Sequence, residues 1–265
     1  MDLGIEGKTA LVFGGDSGIG WHTARRLLAE GVTVVVSDID QARLDASAAR
    51  LGAPDGRLFA FAADVTRQDE LTALRERIEQ AVGQVDIVVQ ASGITGPQGD
   101  FDGIDDEAWT HTLEVDLMGP VRIARTFLPH LRRGWGRLVF VASEDGVQPY
   151  SDEIPYCAAK AGVLALMKGL SRPYAEEGLT VNAVSPAFIA TPMTDAMMTK
   201  ASAEQGIPFD EAVEQMVTEK RPFMAIKRRG DPDEVAAVIA FLVSAPASFV
   251  NGANYRVDAG SVGSI

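Results

Sequence analysis

The chain has a single cysteine, Cys157, so no intrachain disulfide can brace it, and the free thiol fits a reducing compartment. Basic residues are few: 24 Lys and Arg stand against 37 Asp and Glu, a formal net charge of −13. Nucleic acid and anionic membrane would be repelled rather than recruited, so neither is expected as a partner. No apolar run is long enough to span a bilayer. The opening MDLGIEGKTALVF lacks a basic stretch followed by a long apolar one, so a signal peptide is not expected and a cytoplasmic protein is. The three histidines, His22, His111 and His130, lie on predicted helices without ligand spacing; they read as structural, and no metal is expected. Linkers rich in Pro, Gly or Ser, internal repeats and low-complexity tracts are also missing. One domain, 1–265, is the expectation.

What is present is an alternation. TALVF, Thr9–Phe13, is a short apolar run without helical period that ends in glycines, which reads as a buried parallel strand. A helix follows and Gly31 closes it; VTVVV is a second buried strand, ending at Ser37 and Asp38. A polar helix is predicted over 41–51, a strand ending at Asp64, and a helix over 68–82 with Leu71, Leu74, Ile78 and Val82 at helical spacing. A strand then ends at Ala91, a long helix with a break near Pro120 covers 106–133, and a strand ends at Ser143. A helix over 155–177, a strand ending at Ser185, a helix opened by Asp231-Pro232 and a last strand in ANYRVDA complete the chain. Such alternation predicts an α/β fold: a doubly wound, Rossmann-type parallel sheet of about seven strands with helices on both faces. In such sheets ligands bind beyond the carboxyl ends of the strands, where Asp38, Asp64, Ala91-Ser92-Gly93, Ser143 and Ser185-Pro186 all fall.

Residues 190–222 interrupt the alternation. The segment is long for a connection and holds Met193, Met197, Met198, Phe209 and Met216. Because it starts at a strand's carboxyl end, it reads as a substrate lid rather than a helical hairpin packed on the core.

The loop Gly14-Gly15-Asp16-Ser17-Gly18-Ile19-Gly20 follows a strand and opens a helix, the context in which a glycine pattern signals a dinucleotide. Gly14 permits the tight turn, Gly18 lets the backbone approach a pyrophosphate, and Gly20 lets the helix lie close to the sheet. The helix N-terminus then offers free N–H groups to the phosphates. Asp38, 18 residues beyond Gly20, can accept both ribose hydroxyls of NAD and would repel the 2′-phosphate of NADP; Asp16 adds negative charge nearby, and Arg43 is the nearest cation. NAD is therefore expected over NADP.

Tyr156 and Lys160, four apart on a predicted helix, share one face. A tyrosine of pKa about 10 is a poor base near neutrality, and an adjacent ammonium favours its phenolate. Ser143, 13 residues earlier at a strand end, can bond the substrate oxygen while Tyr156 exchanges a proton with it. Glu144 and Glu153 read as solvated loop carboxylates, the alternative being contact with a cationic or hydroxylated substrate group.

These motifs together resemble the short-chain dehydrogenase/reductase family, in its compact single-domain branch, over about 8–262. Its Thr-Gly-x-x-x-Gly-Ile-Gly is matched by Phe13 to Gly20, its Asn-Asn-Ala-Gly by Gln90-Ala91-Ser92-Gly93, its Ser and Tyr-x-x-x-Lys by Ser143, Tyr156 and Lys160, and its Pro-Gly by Pro186-Ala187. The resemblance implies a cofactor site of Gly14, Asp16, Ser17, Gly18, Ile19, Gly20, Asp38, Asp64, Val65, Ala91, Ser92, Gly93, Tyr156, Lys160, Pro186, Ile189 and Thr191. In it Asp64-Val65 would contact adenine and Thr191 the nicotinamide carboxamide. It implies hydride transfer between NAD(H) and a secondary alcohol or ketone, a small-molecule substrate, and a homotetramer or homodimer. The catalytic set it implies is Ser143, Tyr156, Lys160 and Asp116. Three positions depart from the family: Phe13 for a threonine, Gln90 for an asparagine, and Asp116 for the asparagine that completes a proton relay. The first two are expected to compensate each other, since each removes or lengthens one structural hydrogen bond. The alternatives are an NADPH-dependent ketone or 3-oxoacyl-thioester reductase and, outside enzymes, a nucleotide-binding regulator with lost catalysis.

Overall fold

In β1 (Thr9–Phe13) alternate side chains divide between two cores. Ala10 and Val12 face one side with Ala24 and Leu27; Leu11 and Phe13 face the other with Leu71, Ile78 and Phe127. That division, a consequence of the two-residue pleat, requires cover on both faces of the sheet. The computed structural model describes residues 2–264, and in it β1 is joined by β2 (Thr33–Ser37), β3 (Leu58–Ala60), β4 (Ile87–Gln90), β5 (Gly136–Val141), β6 (Leu179–Pro186) and β7 (Asn254–Val257). All pair in parallel, in the order β3-β2-β1-β4-β5-β6-β7. β4, β5 and β6 are buried along their whole length.

The helices cover the faces as their apolar stripes dictate. α1 (Gly18–Ala29) and α2 (Gln41–Leu51) cover one face together with α9 (Pro232–Leu242), whose Val235 and Ile239 pack beside Leu27 and Leu44. α3 (Gln68–Val82), α5 (Gly119–Leu131) and α6 (Ile154–Leu170) cover the other, with Leu74, Ile123, Val163 and Met167 in its core. The chain leaves β1 outward through β2 and β3 and returns to lay β4 on the opposite side of β1. The carboxyl ends of β1 and β4 therefore flank the crevice where connections diverge, the usual ligand position in such sheets.

Three elements differ in extent from the sequence reading. β3 is only three residues long because it is an edge strand with β2 as its single neighbour; beyond it, separate bonds from Phe61 N to Val36 O and Ala63 N to Asp38 O carry the chain to Asp64. α6 stops at Leu170 instead of 177, since Pro173 has no N–H to continue the ladder; a 3₁₀ turn at Ala175–Glu177 follows. The long helix over 106–133 consists of α4 (Asp106–Leu113), a π-turn at Glu114–Met118, and α5. Pro120 removes the N–H that an α-helix would aim at the carbonyl of Asp116, so the backbone widens there.

Residues 190–222 form α7 (Pro192–Gln205), α8 (Phe209–Gln215) and a π-turn at Met216–Lys220. They pack on a separate small core of Phe188, Met198, Ala212, Val217 and Met224. Among the described residues no helix is long and apolar enough to cross a membrane.

Candidate active site

The glycine loop fits against β4 because it has no side chains where it turns. Gly14 has a φ of +75°, and a Cβ on it would lie 2.7 Å from the Ala91 carbonyl and the Ser92 N; one on Gly20 would lie 2.1 Å from Gly14 O. The first turn of α1 has neither a side-chain cap nor an acidic residue, so its N–H groups remain available to an anion at the loop. One cleft is lined by Gly14, Asp16, Ser17, Gly18, Ile19, Gly20, Asp38, Ala91, Ser92, Gly93, Ser143, Tyr156, Lys160, Pro186, Ile189 and Thr191. Asp64 and Val65 line an adjoining cavity that shares Asp38, Ser92 and Gly93 with the first. Across the cleft the start of α7 meets the start of α1: a Cβ on Gly18 would stand 3.2 Å from Thr191. Bare backbone donors at one end and an acidic recess at Asp38 at the other fit a dinucleotide.

Electrostatics at the recess are negative. Burial raises the Asp38 carboxyl above its ordinary range; the Ile39 N–H donates to it at 2.8 Å and opposes the shift, and Asp16 adds repulsion. Asp16 is held by Arg43 at 2.6 Å and by the Ser17 hydroxyl at 2.7 Å. Asp64 Oδ1 accepts from the Thr66 N–H and hydroxyl, which fixes the turn after β3.

At the other end, β5 delivers Ser143 and α6 delivers Tyr156 and Lys160. The Lys160 ammonium lies 5.3 Å from the centre of the Tyr156 ring. Burial holds the Tyr156 phenol well above the ordinary tyrosine value, and the carboxylates Asp145, Asp116 and Glu153 push it further, while the Ser143 hydroxyl favours the ionised form. Asp116 projects from the π-turn, fully buried. Its Oδ1 accepts from the Ile94 N–H at 3.2 Å and lies 3.5 Å from Lys160 Nζ, and its Oδ2 has no partner. Burial raises the Asp116 carboxyl, opposed by Lys160. Gly93 is what admits it, because a Cβ there would lie 2.5 Å from Asp116 Oδ1.

Phe13 and Gln90 are direct neighbours across β1 and β4. Phe13 packs edge-on against Phe127, and Gln90 Nε2 donates within its own loop to Ser92 O at 2.7 Å. The longer amide thus serves the loop after β4 without a hydroxyl on β1.

The reading of Glu144 and Glu153 as solvated is wrong. Both are buried and converge with Asp145 on Arg221, which follows the second π-turn. Arg221 Nε donates to Glu144 Oε1 at 2.7 Å, and Nη2 lies 3.4 Å from Glu153 Oε1 and 3.7 Å from Asp145 Oδ1. Burial, together with Glu153, pushes the Asp145 carboxyl up to about 7 against the pull of Arg221. Burial alone would lower the Arg221 guanidinium, yet Asp145, Glu144 and Glu153 hold it above its ordinary value. A lone arginine 68 residues beyond Glu153 gives no sequence signal; only the acidic pattern at 144, 145 and 153 could have hinted that a counter-charge was needed. Of the histidines, His130 is tied to Glu79 at 2.9 Å and to the Val85 N–H. His22 meets Asp233 near Asp231; Arg25 also holds Asp233, and Asp231 caps α9.

A Rossmann sheet whose crevice joins a glycine loop to Ser, Tyr and Lys defines the class of nicotinamide-dependent oxidoreductases. A family profile described as enoyl-(acyl carrier protein) reductase matches residues 14–261. Among relatives, the cis-4-hydroxycyclohexanecarboxylate dehydrogenase of Sinomonas cyclohexanicum is 35% identical, with 96% of each chain covered. The 3-oxoacyl-[acyl-carrier-protein] reductase of Thermotoga maritima is 31% identical over 97% of this chain and 99% of its own. The L-sorbose reductase of Gluconobacter frateurii, solved with NADPH and L-sorbose, superposes with a TM-score of 0.93 at 30% identity over 100% of both chains. The chain belongs to the short-chain dehydrogenase/reductase family and is an oxidoreductase of alcohols or ketones.

Proposed function

We propose that this protein transfers a hydride between NAD(H) and a secondary alcohol or ketone, with Tyr156 as the proton-transferring residue. The observation that carries the reading is the single cleft in which Ser143, Tyr156 and Lys160 stand beyond the uncapped first turn of α1. A bound nicotinamide would supply or accept the hydride. The residues of the chain do the rest. In the oxidation direction Tyr156 takes the hydroxyl proton, Ser143 steadies the carbonyl oxygen as it forms, and Lys160 stabilises the phenolate. Asp116 joins Lys160 through its Oδ1 and leaves Oδ2 free for a relayed water. Asp38 would hold the adenosine ribose and Asp64-Val65 the adenine. Turnover assays with NAD and NADP across a panel of secondary alcohols and ketones test the reading, and activity on none of them would sink it.

A second reading, an NADPH-dependent reductase of ketones or 3-oxoacyl thioesters, draws on the relatives just named and on Arg43, which pairs with the Asp16 carboxylate. Asp38 beside Asp16 favours NAD. Assembly as a tetramer or dimer belongs to the same proposal, supported by β7, which lies at an open edge of the sheet. So does a cytoplasmic location, which the lone buried thiol of Cys157 supports.

The lid role of 190–222 is part of this reading. Met193 and Thr194 at the start of α7 reach the cleft, and Met193, Met197 and Lys200 wall its outer continuation against Ile94 and Pro97. Amide exchange over 193–216 is expected to slow when cofactor and substrate are both bound; unchanged exchange at saturation would show a static hairpin instead.

Asp116 gives a further expectation. An ionised Asp116 disfavours the Tyr156 phenolate and occupies the Lys160 ammonium. Asp116→Asn removes that charge and lowers the Tyr156 pKa, so the limb on which oxidation rises with pH moves to lower pH. Each unit of movement corresponds to about 1.4 kcal/mol. A kcat–pH profile that stays in place would show Asp116 to be neutral in the wild type, and an upward movement would contradict the sign of the charge argument.

A further inference from the structure

We propose that Arg221 is a positioning residue that sets Ser143 and Tyr156 relative to each other by clamping both ends of the loop between them. The inference rests on the reading of Ser143 and Tyr156 as the reacting pair, and goes beyond it to a residue on a different part of the chain.

The geometry is that of a clasp. Glu144 immediately follows Ser143, and Glu153 is the N-cap residue of α6, one turn ahead of Tyr156. One guanidinium takes Glu144 at 2.7 Å and Glu153 at 3.4 Å, gathering the two ends of a ten-residue loop at a single point. Its Cζ lies 4.5 Å from the centre of the Tyr150 ring, within that loop, and Nη1 touches Met216 Sδ at 3.3 Å, on the lid side. The Ser143 hydroxyl is itself oriented by this loop, because it accepts from the Asp145 N–H at 3.2 Å. The loop also rests directly on the catalytic helix: a Cβ on Gly146 would lie 2.8 Å from the Lys160 carbonyl carbon. A displacement of Glu144 or Glu153 therefore reaches Ser143, Tyr156 and Lys160 through bonded neighbours.

Charge gives the clasp a second consequence. The groups that face Tyr156 are Ser143, Asp145 and Glu153 from the loop, Asp116 from the π-turn and Lys160 from its own helix. Three buried carboxyls surround Arg221 against its single positive charge, and Glu144 Oε2 and Asp145 Oδ1 have no hydrogen-bond partner. Without the guanidinium the local potential at Tyr156 becomes more negative and its phenolate harder to form. Carboxyls that take up a proton in response oppose this effect, Asp145 first, because it faces Tyr156. Arginine is needed for its fork: a lysine ammonium preserves the charge but cannot reach two carboxylates and cover an aromatic face in one plane.

The test uses the full-length protein with Arg221→Lys, Arg221→Met and the double variant Arg221→Met/Glu144→Gln. NAD(H) affinity, kcat and KM across pH, and amide exchange over 144–153 are measured for each. Cofactor affinity is expected to stay close to wild type, because Arg221 does not line the cofactor cleft. In Arg221→Met, kcat is expected to fall by at least about tenfold, as misplacement of a reacting group by an ångström can cost about 100-fold. Its rising limb moves to higher pH, and exchange over 144–153 quickens. Arg221→Lys keeps the limb in place while kcat falls, and the double variant brings the limb back down. Wild-type kcat with an unmoved limb in Arg221→Met would overturn the proposal, as would unchanged exchange over 144–153. A parallel loss of cofactor affinity and kcat would also overturn it, by showing a folding role alone. The exchange measurement needs no turnover, so an inactive wild type would refute the enzymatic reading while still deciding whether Arg221 holds the loop.

Discussion

Replacing Tyr156 with phenylalanine is expected to lower kcat by about 10²–10⁴-fold, the range that a positioned proton-transfer group supplies, while NAD(H) affinity holds. The ring of residue 156 remains to fill its place at the cleft, and only the hydroxyl that faces Ser143 is removed. Among the described residues beside Tyr156 in the cleft, none is placed to take over the proton. Ser143 is a weaker acid, Lys160 lies beneath the ring and bonds Val141 O at 3.4 Å, and Asp116 is buried behind Lys160. Near-wild-type kcat in this variant would remove Tyr156 from the mechanism. Loss of cofactor affinity along with turnover would point instead to a collapsed cleft.

Cofactor preference should respond nearly as strongly at Asp38. This half-buried carboxylate already sits in the field of Asp16, and Arg43 is spent on Asp16 rather than facing the cleft alone. A 2′-phosphate placed there would meet two carboxylates, while Arg43 and Arg50 are both already engaged at Asp16. Every 1.4 kcal/mol of such repulsion is about tenfold in affinity, and loss of one carboxylate in Asp38→Ala is expected to shrink the NAD-over-NADP ratio by roughly 10- to 100-fold. Titration of both cofactors against wild type and variant checks this. Tighter binding of NADP than NAD by the wild type would reverse the assignment, and Arg43 would then be the residue to replace.

The sequence announces those features whose causes are local. Valine-rich strands, the glycine loop after β1, the acidic end of β2 and the i, i+4 pair on α6 each depend on neighbours within a few residues, and each lies where the spacing puts it. The break before Pro120 is legible for the same reason, although the pattern does not say that it takes the form of a π-turn. The fate of Glu144 and Glu153 is not legible, because a carboxylate is solvated or buried according to what packs against it, and here that is Arg221 from another part of the chain. The contact between Asp116 and the space left by Gly93 is hidden likewise, being set by how the π-turn meets the loop after β4. Residues that belong to a motif can be read in advance; the residues that pack against them are seen only when the chain is folded.

The placement of β1 between β2 and β4 also orders events in time. During synthesis the glycine loop and the first turn of α1 are complete early, yet the wall that Gly14 leans on, Ala91 and Ser92, is made about 75 residues later, and the facing rim at Thr191 about 100 residues later still. A nascent chain that ends before β4 therefore has the glycine turn without a crevice, and one that ends before α7 has a crevice open on one side. Closing such distant parallel pairs is entropically slow, so the cofactor can stabilise this protein only as one of the last partners to arrive.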